Sequence, residues 1–340
     1  LADRNLNFLH KPQINISCSS TGRMWLVSLC AFLCILQSAL SDSGKSLIIA
    51  AAAVFSALLV EFLLTVHKHR AGKIKDGSAA ATALILSMML PNQIHPVYAA
   101  LGAAFAIVVV KHSFGGLGSN WLNPALGGWL FIRFSWASAY ADAFESPPPP
   151  ISHMALTNVS ALDNSVSDFL NSNIFSIFSV NMPSGYIDLL SSGDPGIITD
   201  RGIFILLIGT VVITAVGINR GWIPLVFLAV YCFLIRFAGD LHSGLWDGDI
   251  LYGIFSGGTI AAAFILAAEP SSSAKFKPGI IFAVVLSAVL SWFFRYVCMD
   301  FSGCFTALAL TNCVTPLIRL GEEKIFLSKN KGIGIQENLL

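Results

Sequence analysis

Charge is scarce in this chain. Asp, Glu, Lys and Arg together make up 11% of its 340 residues, where a water-soluble domain usually carries about 25%. The net charge of +1 provides no basic surface, so no nucleic-acid partner is expected. The seven cysteines (Cys18, Cys30, Cys34, Cys232, Cys298, Cys304 and Cys313) include no Cys-x-x-Cys pair and no Cys/His metal spacing. They read as small buried hydrophobes, with Cys30 and Cys34 on one helix face. No metal and no iron–sulfur cluster held by this chain is expected. Apolar residues fill the sequence instead: 55% are hydrophobic and the mean hydropathy is +0.73, which is the composition of a protein folded in a lipid bilayer.

Ten apolar runs lie at roughly 24–40, 47–66, 78–92, 97–111, 122–138, 202–218, 222–238, 250–268, 278–295 and 303–319. The expected fold is an all-α polytopic membrane protein of ten transmembrane helices. Several runs are shorter than the ~20 residues that span a bilayer comfortably, as happens where helices meet a central site. Basic residues set the orientation. With a cytoplasmic N-terminus, Arg4, Lys11, Arg23, Lys68, Arg70, Lys73, Lys75, Lys111, Arg220, Lys275, Lys277 and Arg319 all fall inside. Asp142, Glu145, Asp163, Asp168, Asp188, Asp240, Asp249 and Asp300 fall outside. Both termini are then cytoplasmic. A cleaved first span, ending Ser38-Ala39-Leu40, is the alternative at that end and leaves the other spans unchanged.

This divides the chain into a cytoplasmic segment 1–23, five spans over 24–138, an external loop 139–201, five more spans over 202–319 and a cytoplasmic tail 320–340. The loop holds four consecutive prolines, Pro147 to Pro150, with many serines and asparagines, and is expected to be irregular. Five spans per half is an odd number, so homologous halves must be inverted. A faint echo links them: Gly77-Ser78-Ala79-Ala80-Ala81 opens the third span and Gly258-Thr259-Ile260-Ala261-Ala262 the eighth. Inverted repeats place a site where the halves meet. Close helix packing is the plainer reason for small residues there.

The segment Gly115-Gly116-Leu117-Gly118-Ser119-Asn120-Trp121-Leu122-Asn123-Pro124-Ala125 sets a polar, glycine-rich loop between two apolar runs. Irregular backbone at membrane depth survives only against protein or a water-filled cavity. Gly115, Gly116 and Gly118 allow close approach to a ligand. The Asn120 and Asn123 amides donate and accept, as a neutral heterocycle requires. The loop matches neither a Walker loop nor a dinucleotide fingerprint. Glu61, inside the second span, belongs to an ion path or to a buried pair, with Arg133 as the candidate partner. Asp76 caps the third helix or guards an ion entrance. Arg236 and Arg295, near external helix ends, are expected to snorkel.

These residues resemble a known family, the D subunit of Rnf electron-transport complexes and the related B subunit of the sodium-pumping NADH:quinone oxidoreductase. Residues 115–125 resemble the family's Gly-Gly-x-Gly-x-Asn-x-Phe-Asn-Pro-Ala signature, with Leu122 in place of phenylalanine. Lys75-Asp76-Gly77-Ser78-Ala79 resembles its Lys-Asp-x-Ser-Ala element. Trp222-Ile223-Pro224-Leu225, Gly257-Gly258-Thr259 with Ala263-Phe264, and Tyr186-Ile187-Asp188-Leu189-Leu190 match further stretches. Two departures stand in the last span, Ser302 where an acid is usual and Arg319 where Pro-Leu-Ile-Asp is usual.

The resemblance implies two inverted five-helix repeats in a bacterial inner membrane. It also implies a multi-subunit complex moving electrons between a low-potential donor and NAD, coupled to Na⁺ or H⁺ transport. Other membrane, flavin and iron–sulfur subunits would be partners, and the isolated chain would not turn over. Family members carry flavin, and the quinone-reducing relatives among them hold riboflavin near the paired asparagines, which makes Asn120 and Asn123 candidates. They also carry FMN esterified by a flavin transferase to the threonine of Ser-Gly-Ala-Thr. That motif is absent from 139–201, and Thr157 is the nearest stand-in. A secondary transporter or channel for a small polar solute is the alternative from another class. A scaffold that has lost its flavin is a third.

Overall fold

The computed structural model describes residues 20–67, 76–113, 120–144, 160–178, 184–191, 196–218, 220–238 and 248–330. Helices dominate, and the isolated bridge between Pro91 and Ile197 is the β-type pairing among the described residues. Among the described residues, four helices are long and apolar enough to cross a membrane: Thr21–Ser41, Lys45–Val66, Lys277–Val297 and Gly303–Ile325. Shorter apolar helices, Ser78–Met88, Pro96–Lys111, Ile203–Ala215 and Trp222–Ala238, pack among them.

The first half contains α1 (Ser20–Ser41), α2 (Lys45–His67), α3 (Ser78–Met88), α4 (Pro96–Phe105) and α5 (Pro124–Ser135). Helix α4 continues as a π turn, Ala106–Lys111. Asp42 turns the chain between α1 and α2 by accepting from the Gly44 and Ser46 amides. Alanines on α2 (Ala50, Ala53 and Ala57) face inward, while Phe55, Phe62 and Leu63 stay exposed. An apolar outer surface is costly in water and natural in lipid. Glycines let backbones approach: a Cβ at Gly128 would lie 2.7 Å from the Gly102 carbonyl, so α4 and α5 cross at close range.

Between the halves lie the short α6 (Ala137–Asp142), α7 (Ala161–Asn173) and α8 (Tyr186–Ser191). The expectation of an irregular 139–201 loop is therefore corrected. Ser160 caps α7 through the Asp163 amide, and buried Asp163 accepts from the Ile187 and Asp188 amides, at 2.7 and 3.1 Å. That carboxylate ties α7 to α8. The proline and serine content hid the α7 period, carried by Leu162, Val166 and Phe169.

The second half contains α9 (Ile198–Arg201), α10 (Ile203–Ala215), α11 (Trp222–Ala238), α12 (Ile250–Phe255), α13 (Thr259–Ala261), α14 (Lys277–Trp292) and α15 (Gly303–Asn330). Helix α13 runs into a π turn, Ala262–Leu266, and α14 into another, Phe293–Val297. The apolar run expected at 250–268 is thus broken at Ser256–Gly258, where Gly257 and Gly258 adopt φ +64° and +69°. The run expected at 78–92 stops as helix at Met88. There Thr199 Oγ1 donates to the Met88 carbonyl and the Ile198 amide to the Leu90 carbonyl. Cys30 and Cys34 pack against Gly209 and Gly202 of the crossing chain.

Candidate functional site

Two helix starts are built the same way: one opens α3, and the other is bonded by Asp200, the neighbour of the Thr199 that bonds the far end of α3. At each, a left-handed glycine precedes a hydroxyl residue: Gly77 before Ser78, Gly258 before Thr259. In each case a cation from a π turn donates to that hydroxyl. Lys111 Nζ lies 2.7 Å from Ser78 Oγ, and Arg295 Nη1 lies 2.9 Å from Thr259 Oγ1.

At the Lys111 end a polar chain runs across three helices. Asp76 accepts from the Ser78 amide and hydroxyl at 3.0 and 2.7 Å. Lys111 Nζ forms an ion pair with Glu61 Oε1 at 3.0 Å, and His112 Nε2 meets Glu61 Oε2 at 3.0 Å. Glu61 and Lys111 are both buried. The expected Glu61–Arg133 pair is corrected: Arg133 instead pairs with Asp300 at 2.8 Å and lies over the Trp129 ring. Lys111 is nearer in sequence and has the reach, because the π turn swings it inward. Asp76 bonds the first residue of α3, and its carboxylate connects through Ser78 to Lys111.

Beside this chain lies a cavity of about 370 Å³, within the ordinary size range of small-molecule sites. Met24, Val27, Ile85, Ile213 and Ile265 supply apolar walls, and Ser78, Lys111, Asn120, Asn123 and Glu269 supply the polar groups. Asn123 caps α5: its Oδ1 accepts from the Ala125 and Leu126 amides at 2.8 and 3.4 Å. Pro124 at the first helical position gives up no needed amide. The Asn123 Nδ2 donates to Glu269 Oε2, and Ser271 Oγ donates to Glu269 Oε1 at 2.6 Å. Glu269 sits in the turn past the 262–266 π turn. Burial pushes its carboxyl above the usual range, and the bonds from Ser271 and Asn123 partly offset this.

Asn120 is the telling residue. It is 4% exposed and lines the cavity, and its Oδ1 meets no hydrogen-bond donor among the described residues. A buried acceptor left unpaired costs about 1–3 kcal/mol, so this atom is open to a donor that enters the cavity. Gly115, Gly116, Gly118 and Thr157 lie outside the described residues.

At the other end Arg295 is 1% exposed, which corrects the expectation that it snorkels. Its Nη1 reaches the Gly253 and Ser256 carbonyls at 2.9 and 2.7 Å and the Tyr231 hydroxyl at 3.2 Å, while Nη2 donates to Ser256 Oγ. Asp200 accepts from the Gly257 and Gly258 amides at 2.8 and 2.9 Å. The broken helix frees the Gly253 and Ser256 carbonyls, which Arg295 Nη1 and Thr259 Oγ1 both reach.

Sequence reasoning missed Lys111, Arg295 and Glu269. Glu269 carried a signal, being an acid beside Pro270 at a boundary otherwise rich in Lys and Arg. The other two sit at span ends, where a basic residue looks like an ordinary anchor.

The class is therefore a polytopic helical membrane protein with an amide-lined cavity beside a buried ion pair. A model of the NQR2, RnfD, RnfE family matches residues 8–326, and the chain belongs to that family. The chain is 26% identical over 270 residues to the D subunit of the ion-translocating oxidoreductase complex of Methanosarcina acetivorans, covering 79% of this chain and 78% of the relative. It is 26% identical over 284 residues to the D subunit of the Na(+)-translocating ferredoxin:NAD(+) oxidoreductase complex of Acetobacterium woodii, covering 83% and 82%. Against the D subunit of the proton-translocating ferredoxin:NAD(+) oxidoreductase complex of Clostridium ljungdahlii it is 28% identical over 318 residues, covering 90% and 91%.

Proposed function

We propose that this chain is the flavin-binding membrane subunit of an ion-translocating ferredoxin:NAD oxidoreductase complex. One observation carries the flavin reading: the unpaired, buried Asn120 Oδ1 facing a mostly apolar cavity, in a chain of this family. The donor set fits a flavin ring, whose imide N–H is the kind of donor Asn120 lacks and whose flat body suits apolar walls. When bound, the flavin supplies one-electron transfer. The protein's residues position and insulate it. Asn123, fixed by the cap and by Glu269, stiffens the wall; Asn120 accepts; Lys111 is paired with Glu61, and Arg23 also borders the chamber.

The paired helix starts support two inverted five-helix repeats and ten spans, since Pro96 and Pro278 open the two π-ending helices that carry Lys111 and Arg295. The basic loops support cytoplasmic termini and an inner-membrane setting, with the Lys111 end facing the cytoplasm. Other Rnf-type subunits, carrying flavin and iron–sulfur centres, are the partners, and turnover belongs to the complex. Glu61 and Asp76 border the ion route on this reading. A cation that binds Glu61 must first displace Lys111. Covalent FMN at Thr157 is the accompanying proposal.

Mass spectrometry of the purified protein tests both flavins. The reading predicts released riboflavin or FMN, and an FMN mass added to a peptide from 139–201 places the ester. Colourless protein that carries solute into liposomes contradicts the reading and favours a transporter.

A further inference from the structure

A second cavity, of about 580 Å³, opens beside the first and shares Arg23, Ile218, Pro270 and Ser271 with it. Its charged lining is all cationic: Arg23, Arg220, Lys275 and Arg319. We propose that this cavity is a phosphate site, so that the ligand of the joined cavities is a phosphate ester with its apolar or ring portion in the first. The phosphate site stands on these four cations; only the flavin arm of the test below rests on the reading proposed above.

Three observations build the case. Arg319 is held in place: its Nε donates to the Ser273 carbonyl at 3.1 Å, and its Nη2 to the Ser271 and Ser273 carbonyls at 2.9 and 2.6 Å. Those bonds use backbone carbonyls, and Arg319 forms no ion pair among the described residues. Arg23 Nε is buried and lacks an acceptor among the described residues. The nearby carboxylates bond other groups than these guanidinium and ammonium heads. Glu322 accepts from the Lys275 and Phe276 amides, both at 3.1 Å, and Glu269 is engaged by Asn123 and Ser271. Four cations around one hollow repel each other unless an anion joins them, and guanidinium forks match phosphate oxygens.

Two sources supply a phosphate ester here, FMN spanning both cavities or an anionic phospholipid headgroup, and the experiment separates them. The full-length protein in detergent, stripped of flavin, is titrated with FMN and with riboflavin by fluorescence quenching. In parallel, its thermal unfolding is followed with inorganic phosphate and in nanodiscs of phosphatidylglycerol or phosphatidylcholine. The expected result is FMN binding tighter than riboflavin by about 10- to 100-fold, the span of a charge-assisted hydrogen bond. Arg319→Asp should erase that preference while leaving riboflavin affinity unchanged. Should Arg319→Asp weaken the fold, Arg220→Gln with Lys275→Gln, both exposed, should cut the preference several-fold.

If FMN and riboflavin bind equally but phosphatidylglycerol or phosphate raises the melting temperature in an Arg319-dependent way, the phosphate site holds and its source is lipid. Failure of both flavins to bind, with that melting shift intact, sinks the flavin reading alone. Equal flavin affinities together with no Arg319-dependent response to phosphate or phosphatidylglycerol overturn the proposal.

Discussion

Lys111 and Arg295 occupy like places at the two ends of the bundle, each within a π turn and each bonded to the hydroxyl that follows a left-handed glycine. Among the described residues, Lys111 faces a carboxylate and Arg295 does not. The difference separates a workable end from a fixed one. An ammonium paired with Glu61, with His112 alongside and a cavity next to it, has one carboxylate partner, which an entering ion could replace. A guanidinium spread over the Gly253 and Ser256 carbonyls and the Ser256, Thr259 and Tyr231 hydroxyls locks a broken helix and leaves no partner to exchange. The cavity lies at the exchangeable end.

The largest effect should follow from breaking the fixed end. Arg295→Leu removes the guanidinium that joins the Gly253 and Ser256 carbonyls to the Ser256, Thr259 and Tyr231 hydroxyls and should cost about 3–5 kcal/mol, read as a lower melting temperature in detergent. Arg295→Lys should recover part of it, since an ammonium can donate to the acceptors that Nη1 meets but not to Ser256 Oγ as well. Close behind comes Glu61→Gln, which leaves Lys111 buried without its counterion, at about 3 kcal/mol. Here the comparison sharpens. Adding Lys111→Met to Glu61→Gln should restore stability, with a coupling of about 1–3 kcal/mol in a double-mutant cycle. A strictly additive pair would show that the two groups do not depend on each other.

Smaller effects should distinguish the two glycines. Alanine in the left-handed region costs about 1–2 kcal/mol at either position. Gly258→Ala should lose more, because the new methyl runs into the Phe305 ring, which is fully buried. Gly77→Ala meets Trp25 at 2.9 Å, and that ring is half exposed and free to yield. Equal melting temperatures for the two variants would contradict this ranking. The one substitution expected to cost nothing is Asn120→Leu: its flavin-free form should melt at or above the unaltered chain, because the lost carbonyl oxygen was a buried acceptor without a donor among the described residues.

Much of this was legible in the residues, and the gaps have physical causes. Hydropathy located the apolar runs because lipid leaves few alternatives for a stretch like 45–67. It misjudged the ends of α3 and of the 250–268 run, since helix breaks inside apolar sequence depend on what receives the freed carbonyls. Thr199 and Arg295 do so, and both are remote in sequence. Glycine and proline punctuation pointed to Asn120 and Asn123. The partner Glu269 lies 146 residues from Asn123, a pairing only the fold supplies. Lys111 and Arg295 were hidden because a π turn, which no local pattern announces, carries each of them inward. The α7 helix was masked by the prolines before it.

The account stands most directly on whether Asn120 faces a flavin. The full-length chain, and its Asn120→Leu variant, would be purified in parallel, denatured, and the released non-covalent flavin counted per chain by fluorescence. Close to one flavin is expected on the unaltered protein and about tenfold less on the variant, with the flavin-free variant no less stable than the flavin-free unaltered protein. Equal flavin on both proteins, or none on the unaltered one, would contradict it.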